Sequence, residues 1–113
     1  MELKVIVYRD ALGHSAFQVW FDGLRDKRAK LNIIKRIDRL KSGNRGQSPH
    51  LRGGVSELRI WDGIGYRVYF AYSGDTILVI LCGGTKDSQK ADIDLAIEYW
   101  NDWQKRHRKP ENS

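Results

Sequence analysis

VSELRIWDGIGYRVYFAYSGDTILVILC, residues 55–82, decides the fold. Apolar residues recur with period two over residues 55–61, 66–72 and 76–82, and β-branched and aromatic side chains are frequent there, which predicts three strands. Asp62-Gly63 and Gly74-Asp75 stand between the runs as turn pairs. Turns this short join antiparallel neighbours, so the segment predicts a meander. Residues 77–82 are apolar on both faces, which suits the middle of a sheet with helices over at least one side.

Upstream, residues 3–9 carry the β-formers Val5, Ile6, Val7 and Tyr8 and predict a first strand, which Gly13 follows as a break. Ser15 with Gln18 three residues on is a capping-box pattern, and Ala16, Phe17, Trp20, Phe21 and Leu24 recur at helical spacing. After Gly23, residues 25–42 predict a second helix with Leu31, Ile33, Ile34, Ile37 and Leu40 set among the seven cations of residues 27–41, and Gly43 stands where its C′ residue would be. Residues 44–54 hold Gly46, Pro49, Gly53 and Gly54 and read as a loop. Downstream, residues 87–106 predict a closing helix, with Ile93, Ala96, Ile97, Trp100 and Trp103 on one stripe and Asp87 or Ser88 as N-cap. The order β-α-α-β-β-β-α predicts an α+β domain, helices packed on a mostly antiparallel, twisted four-stranded sheet, its first strand beside one of the C-terminal strands. One domain is expected over residues 1–107, with residues 108–113 a disordered tail.

Charge narrows the function. Twenty Lys and Arg against fourteen Asp and Glu give a net charge of +6 in 113 residues, which favours a polyanionic partner, nucleic acid before an acidic protein. The single cysteine, Cys82, excludes an internal disulfide and reads as a buried small hydrophobe. His14, His50 and His107 are too scattered for a metal site, so no metal and no cofactor are expected. Gly63-Ile64-Gly65 lacks a third glycine and reads as a hairpin turn, and no Gly-x-Ser-x-Gly elbow occurs. The first ten residues show no secretory pattern. The longest apolar run, residues 77–82, is far short of the roughly 20 residues a spanning helix needs, so a cytoplasmic protein without membrane contact is expected.

Chemistry concentrates in the strands. The alternation that turns Leu58 and Ile60 to the core turns Glu57 and Arg59 to the opposite face, and on the next strand Arg67 and Tyr69 oppose Tyr66, Val68 and Phe70. If the polar faces coincide, one concave surface holds an acid, two guanidinium groups and a phenol, with Lys86 beyond Gly83-Gly84 adding an ammonium group. Such a set suits metal-independent RNA cleavage by internal attack of a 2′-hydroxyl: Arg and Lys stabilise charge on the phosphoryl oxygens and Glu57 accepts the 2′ proton. The alternative is a solvated lattice of ion pairs between Glu57 and Arg67 or Arg59. Lys27, Arg28, Lys30, Lys35, Arg36, Arg39 and Lys41 likewise read either as a surface for RNA phosphates or as a solvated helix face.

The stretch Glu57-Leu58-Arg59, then Gly63-x-Gly65-Tyr66-Arg67-Val68-Tyr69-Phe70, then Leu81-x-Gly83-Gly84-x-Lys86-x-Ser88-Gln89 and Asp92-Ile93 resembles the RelE/ParE superfamily of toxins. Within it the chain is similar to the phage-derived killer proteins of addiction modules, the HigB/RelE-like subgroup. The resemblance is close over the C-terminal half. It implies a RelE-like fold, the toxin of a type II toxin–antitoxin system, and an endoribonuclease that cuts mRNA on the ribosome and so inhibits translation. It also implies a cognate antitoxin, a helix-turn-helix DNA-binding protein, through which alone the chain would meet operator DNA. Arg67 matches the arginine associated with the scissile phosphate, and Lys86 sits near another basic position. The pair of lysines that RelE carries before this strand is replaced by Arg52 and Arg59, and the C-terminal tyrosine is missing. Two further functions compete: a ParE-like poison of DNA gyrase, and a non-enzymatic module that binds through the basic second helix.

Overall fold

The computed structural model describes residues 2–44, 48–60 and 64–108. Strand β1 (Lys4–Val7) leads into helices α1 (Ala16–Gly23) and α2 (Lys27–Lys41). Strands β2 (Ser56–Ile60), β3 (Tyr66–Ser73) and β4 (Ile77–Thr85) follow, then a 3₁₀ turn (Lys86–Ser88) and helix α3 (Gln89–Arg106). The expected order of elements is therefore present. Asp62-Gly63, Gly46 and the end of the expected tail, residues 109–113, lie outside the described residues.

Local chemistry sets the helix ends. The Ser15 hydroxyl accepts from the Gln18 N–H, as the capping pattern predicts. For α2 the cap is Asp26, whose carboxylate accepts from the Ala29 N–H, so the helix starts two residues later than its apolar period alone implies. Gly43, at φ +92°, closes α2 with its N–H on the Leu40 carbonyl and that of Asn44 on Arg39, a Schellman motif.

The sheet order is β1-β4-β3-β2. β2–β3 and β3–β4 are antiparallel, as the meander requires, but β1 runs parallel to β4, with Lys4 opposite Ile77 and Val7 opposite Ile80. The sheet is thus mixed, with two antiparallel pairings and one parallel, which corrects in part the expectation of a mostly antiparallel sheet; β1 does lie beside a C-terminal strand. A parallel neighbour requires a long crossover, and α1 and α2 supply one.

Both faces of the sheet are covered. Phe17, Ala29, Ile33 and Leu40 of α1 and α2 pack on Leu58, Ile60, Tyr66, Val68, Phe70, Leu78 and Ile80. Ala96, Trp100 and Trp103 of α3 pack on Tyr69, Ala71, Val79, Leu81 and Cys82 from the other side. A bulge separates the pairs Tyr69–Cys82 and Phe70–Ile80, so Leu81 and Cys82 both turn to α3 and the alternation then resumes inverted. In consequence Gly83 lies under the Trp20 ring and Gly84 under the Asp92 carboxylate, each so close that a Cβ would collide. The absence of side chains there lets α1 and α3 close on the end of β4.

Candidate functional site

The register of β2 and β3 sets Glu57 opposite Tyr69 and Arg59 opposite Arg67. All four side chains turn to one face, as their alternation predicts. That face is not open. The first turn of α3 lies over it, leaving Glu57 and Tyr69 fully buried and Arg67 5% exposed, while Arg59 reaches the rim.

The Glu57 carboxylate is the hub. Its Oε1 accepts from Arg59 Nε at 2.6 Å and lies 3.5 Å from Arg67 Nε. Its Oε2 accepts from Gln89 Nε2 at 2.7 Å. Two guanidinium groups and an amide therefore compensate one buried carboxylate, which fits the requirement that a buried charge be paired and hydrogen-bonded. The ion pairs of the alternative reading form, but buried rather than solvated. Arg67 Nη1 also donates to the Gly65 carbonyl at 3.2 Å. Arg67 Nε and Tyr69 Oη have no hydrogen-bond partner among the described residues. Burial, with the Glu57 charge adding to it, pushes the Tyr69 phenol far above its ordinary range, so it stays protonated.

Gly65 organises the mouth. At φ +77° it turns the chain into β3, and its carbonyl accepts from the Lys86 N–H at 3.1 Å as well as from Arg67. A Cβ on Gly65 would stand 3.6 Å from Arg67 Nη1 and 3.8 Å from Lys86 Cβ. The exposed Lys86 is thus brought beside the buried Arg67. Ser88 donates to Asp92 Oδ2 at 2.5 Å, and its hydroxyl accepts from the Thr85 N–H at 3.3 Å, which fixes the turn carrying Lys86.

The remaining cations fall into separate groups. Arg52 pairs with Asp94 of α3 and borders a shallow cleft with Gln89, Lys90 and Ile93. On α2, Arg36 donates to the Arg59 carbonyl at 2.8 Å, and with Asn32, Lys35, Arg39 and Ile60 it lines a basic cleft. This contact, with the Glu57 N–H on the Pro49 carbonyl, covers the free edge of β2. Lys30 stands 5.0 Å over the Phe21 ring and Lys41 lies 4.0 Å from Glu2, whereas Lys27 and Arg28 are exposed. Cys82 is buried under α3, which pushes its thiol up to about 12. Among the described residues, no three His, Cys, Asp or Glu side chains are grouped to hold a metal ion, and no helix is long and apolar enough to cross a membrane.

Sequence reasoning gives no role to Gln89 or Asp92. Both stand in the stretch that carries the resemblance, yet no spacing rule ties the first turn of a distant helix to Glu57 or to Gly84. Fold and cluster define a small basic α/β domain of three layers with a buried acid–guanidinium hub beside an exposed lysine. Residues 19–100 match the family described as phage-derived protein Gp49-like (DUF891), and the chain belongs to that family, a toxin-like one related to RelE-type toxins. An uncharacterized protein of Haemophilus influenzae is 42% identical over 80 residues, 71% of this chain and 81% of that protein.

Proposed function

We propose that this chain is the toxin of a toxin–antitoxin pair and that it cuts mRNA on the translating ribosome. The observation that carries the reading is the meeting of Arg67 and Lys86 around Gly65, with Arg59 and Glu57 behind them. Membership of the Gp49-like family supports the toxin role. In the reaction the 2′-oxygen attacks phosphorus, the bond to the 5′-oxygen breaks, and negative charge on the phosphoryl oxygens meets Arg67, Arg59 and Lys86. Glu57 orients both guanidinium groups and accepts the 2′ proton once the Gln89 turn moves aside, and the leaving 5′-oxygen takes a proton from water. Tyr69, held protonated, is a donor for the same centre. Arg28, Lys35, Arg36, Arg39 and Arg52 contact RNA phosphates outside the cut, and a cognate antitoxin restrains the toxin between episodes.

The burial of Glu57 and Arg67 favours a second reading, in which the cluster only fastens α3 to the sheet and activity lies in binding, to gyrase or another target. Induction in bacteria separates the two. Lys86→Ala, on an exposed side chain, and Arg67→Lys, which keeps the charge but not the two-pronged fit, should each relieve growth arrest at unchanged protein level. Arrest undiminished in both variants would remove the nuclease site.

A further inference from the structure

The exposed half of α2 is split along its length. Arg28, Asn32, Lys35 and Arg39 form one stripe, on the side where Arg36 reaches the β2 edge. Lys27, Leu31, Ile34 and Asp38 form the other, toward α1, where Lys30 at its margin sits over the Phe21 ring. Leu31 and Ile34 are 58% and 52% exposed, although Ala29, Ile33 and Leu40 already supply the helix's contact with the core. Single exposed aliphatic residues are ordinary. Here two large ones stand three residues apart on a helix whose fifteen residues otherwise carry seven cations and one acid, Asp38. A surface for phosphates has no use for them, whereas a protein interface is built of an apolar centre within a charged rim.

We propose that this stripe docks an acidic amphipathic helical segment of a partner protein. Its aliphatic residues pack on Leu31 and Ile34, and its Asp and Glu residues meet Lys27 and Lys30. Charge selects the partner's sign, and the aliphatic pair selects a protein segment over RNA. Naming that partner the antitoxin rests on the proposed function; the docking chemistry does not. The Arg28–Arg39 stripe and the Arg67 cluster stay free when the segment is bound.

The test uses a labelled synthetic peptide with leucines three and four residues apart between glutamates, a peptide of the same composition with its leucines scattered around the helix, and a single-stranded oligoribonucleotide. Fluorescence anisotropy with the purified full chain should show the amphipathic peptide bound at least about tenfold more tightly than the scattered one. The double variant Leu31→Ser with Ile34→Ser should lose that preference, keep its oligoribonucleotide affinity, and still arrest growth when induced. Equal binding of the two peptides, a preference that survives in the double variant, or a loss of oligoribonucleotide binding alone would overturn the proposal. A wild-type chain that shows the preference but does not arrest growth would remove the toxin reading and leave the docking surface standing.

Discussion

At the residue scale the decisive group is Glu57. Alternation along β2 and β3 is enough to put it on one face with Arg59, Arg67 and Tyr69, because period two is a property of the strand itself. Depth is not legible that way. It depends on what lies over the face, and Gln89, the residue that closes it, is 32 positions away in sequence. Two buried polar groups should consequently respond in opposite senses to loss. Glu57→Ala strands the Arg67 guanidinium and should cost about 3–5 kcal/mol, with Glu57→Gln milder because its amide oxygen still accepts from Arg59 or Gln89. Tyr69→Phe removes a hydroxyl without a hydrogen-bond partner among the described residues and should be neutral or stabilising by up to about 1–3 kcal/mol. Urea unfolding midpoints measure both. A Glu57→Ala midpoint equal to that of the wild type would mean that the cluster is open to water in solution.

At the scale of elements, the helix ends at Ser15 and Gly43 are readable because each cap is a residue type with a local partner. The direction of β1 is not, since a connection as long as α1 plus α2 can return the chain either way, and only the packing of both helices on one face selects parallel pairing with β4. The Gly83-Gly84 pair illustrates the same divide. Its position after a strand is visible in sequence, but the bulge that turns one glycine to Trp20 and the other to Asp92 is a tertiary feature. Gly83→Ala should push Trp20 outward and destabilise the domain by about 1–3 kcal/mol, with a shift of the indole fluorescence as the local sign. An unchanged spectrum together with unchanged stability would mean that α1 does not rest on the end of β4.

Across the whole molecule α3 is fastened at both ends. Its 18 residues extend about 27 Å, from Gln89 at the polar hub to a clamp on the end of β1. There Tyr8 donates to Asp102 Oδ2 at 2.6 Å and stacks on Tyr99 with ring centres 4.6 Å apart, while Arg106 lies over its ring and bonds the Arg9 carbonyl. Burial, followed by the Asp102 hydrogen bond, pushes the Tyr8 phenol up to about 12. The folded state therefore favours the neutral phenol, so its contribution is whole below pH about 10, where an unfolded tyrosine ionises, and is lost as pH rises toward 12. Unfolding free energy should fall across that window, and Tyr8→Phe should make the fall shallower; identical slopes would exclude Tyr8 as a source.

Under the proposed function, access for RNA requires the first turn of α3 to shift while the clamp at Asp102 and Arg106 holds the other end. Mapping mRNA 5′ ends within minutes of induction in bacteria reads out the proposed cleavage on the ribosome. Cuts in phase with codons, confined to translated regions and absent with Arg67→Lys, are the expected result. Growth arrest with intact messages, and breaks in plasmid DNA instead, would contradict it.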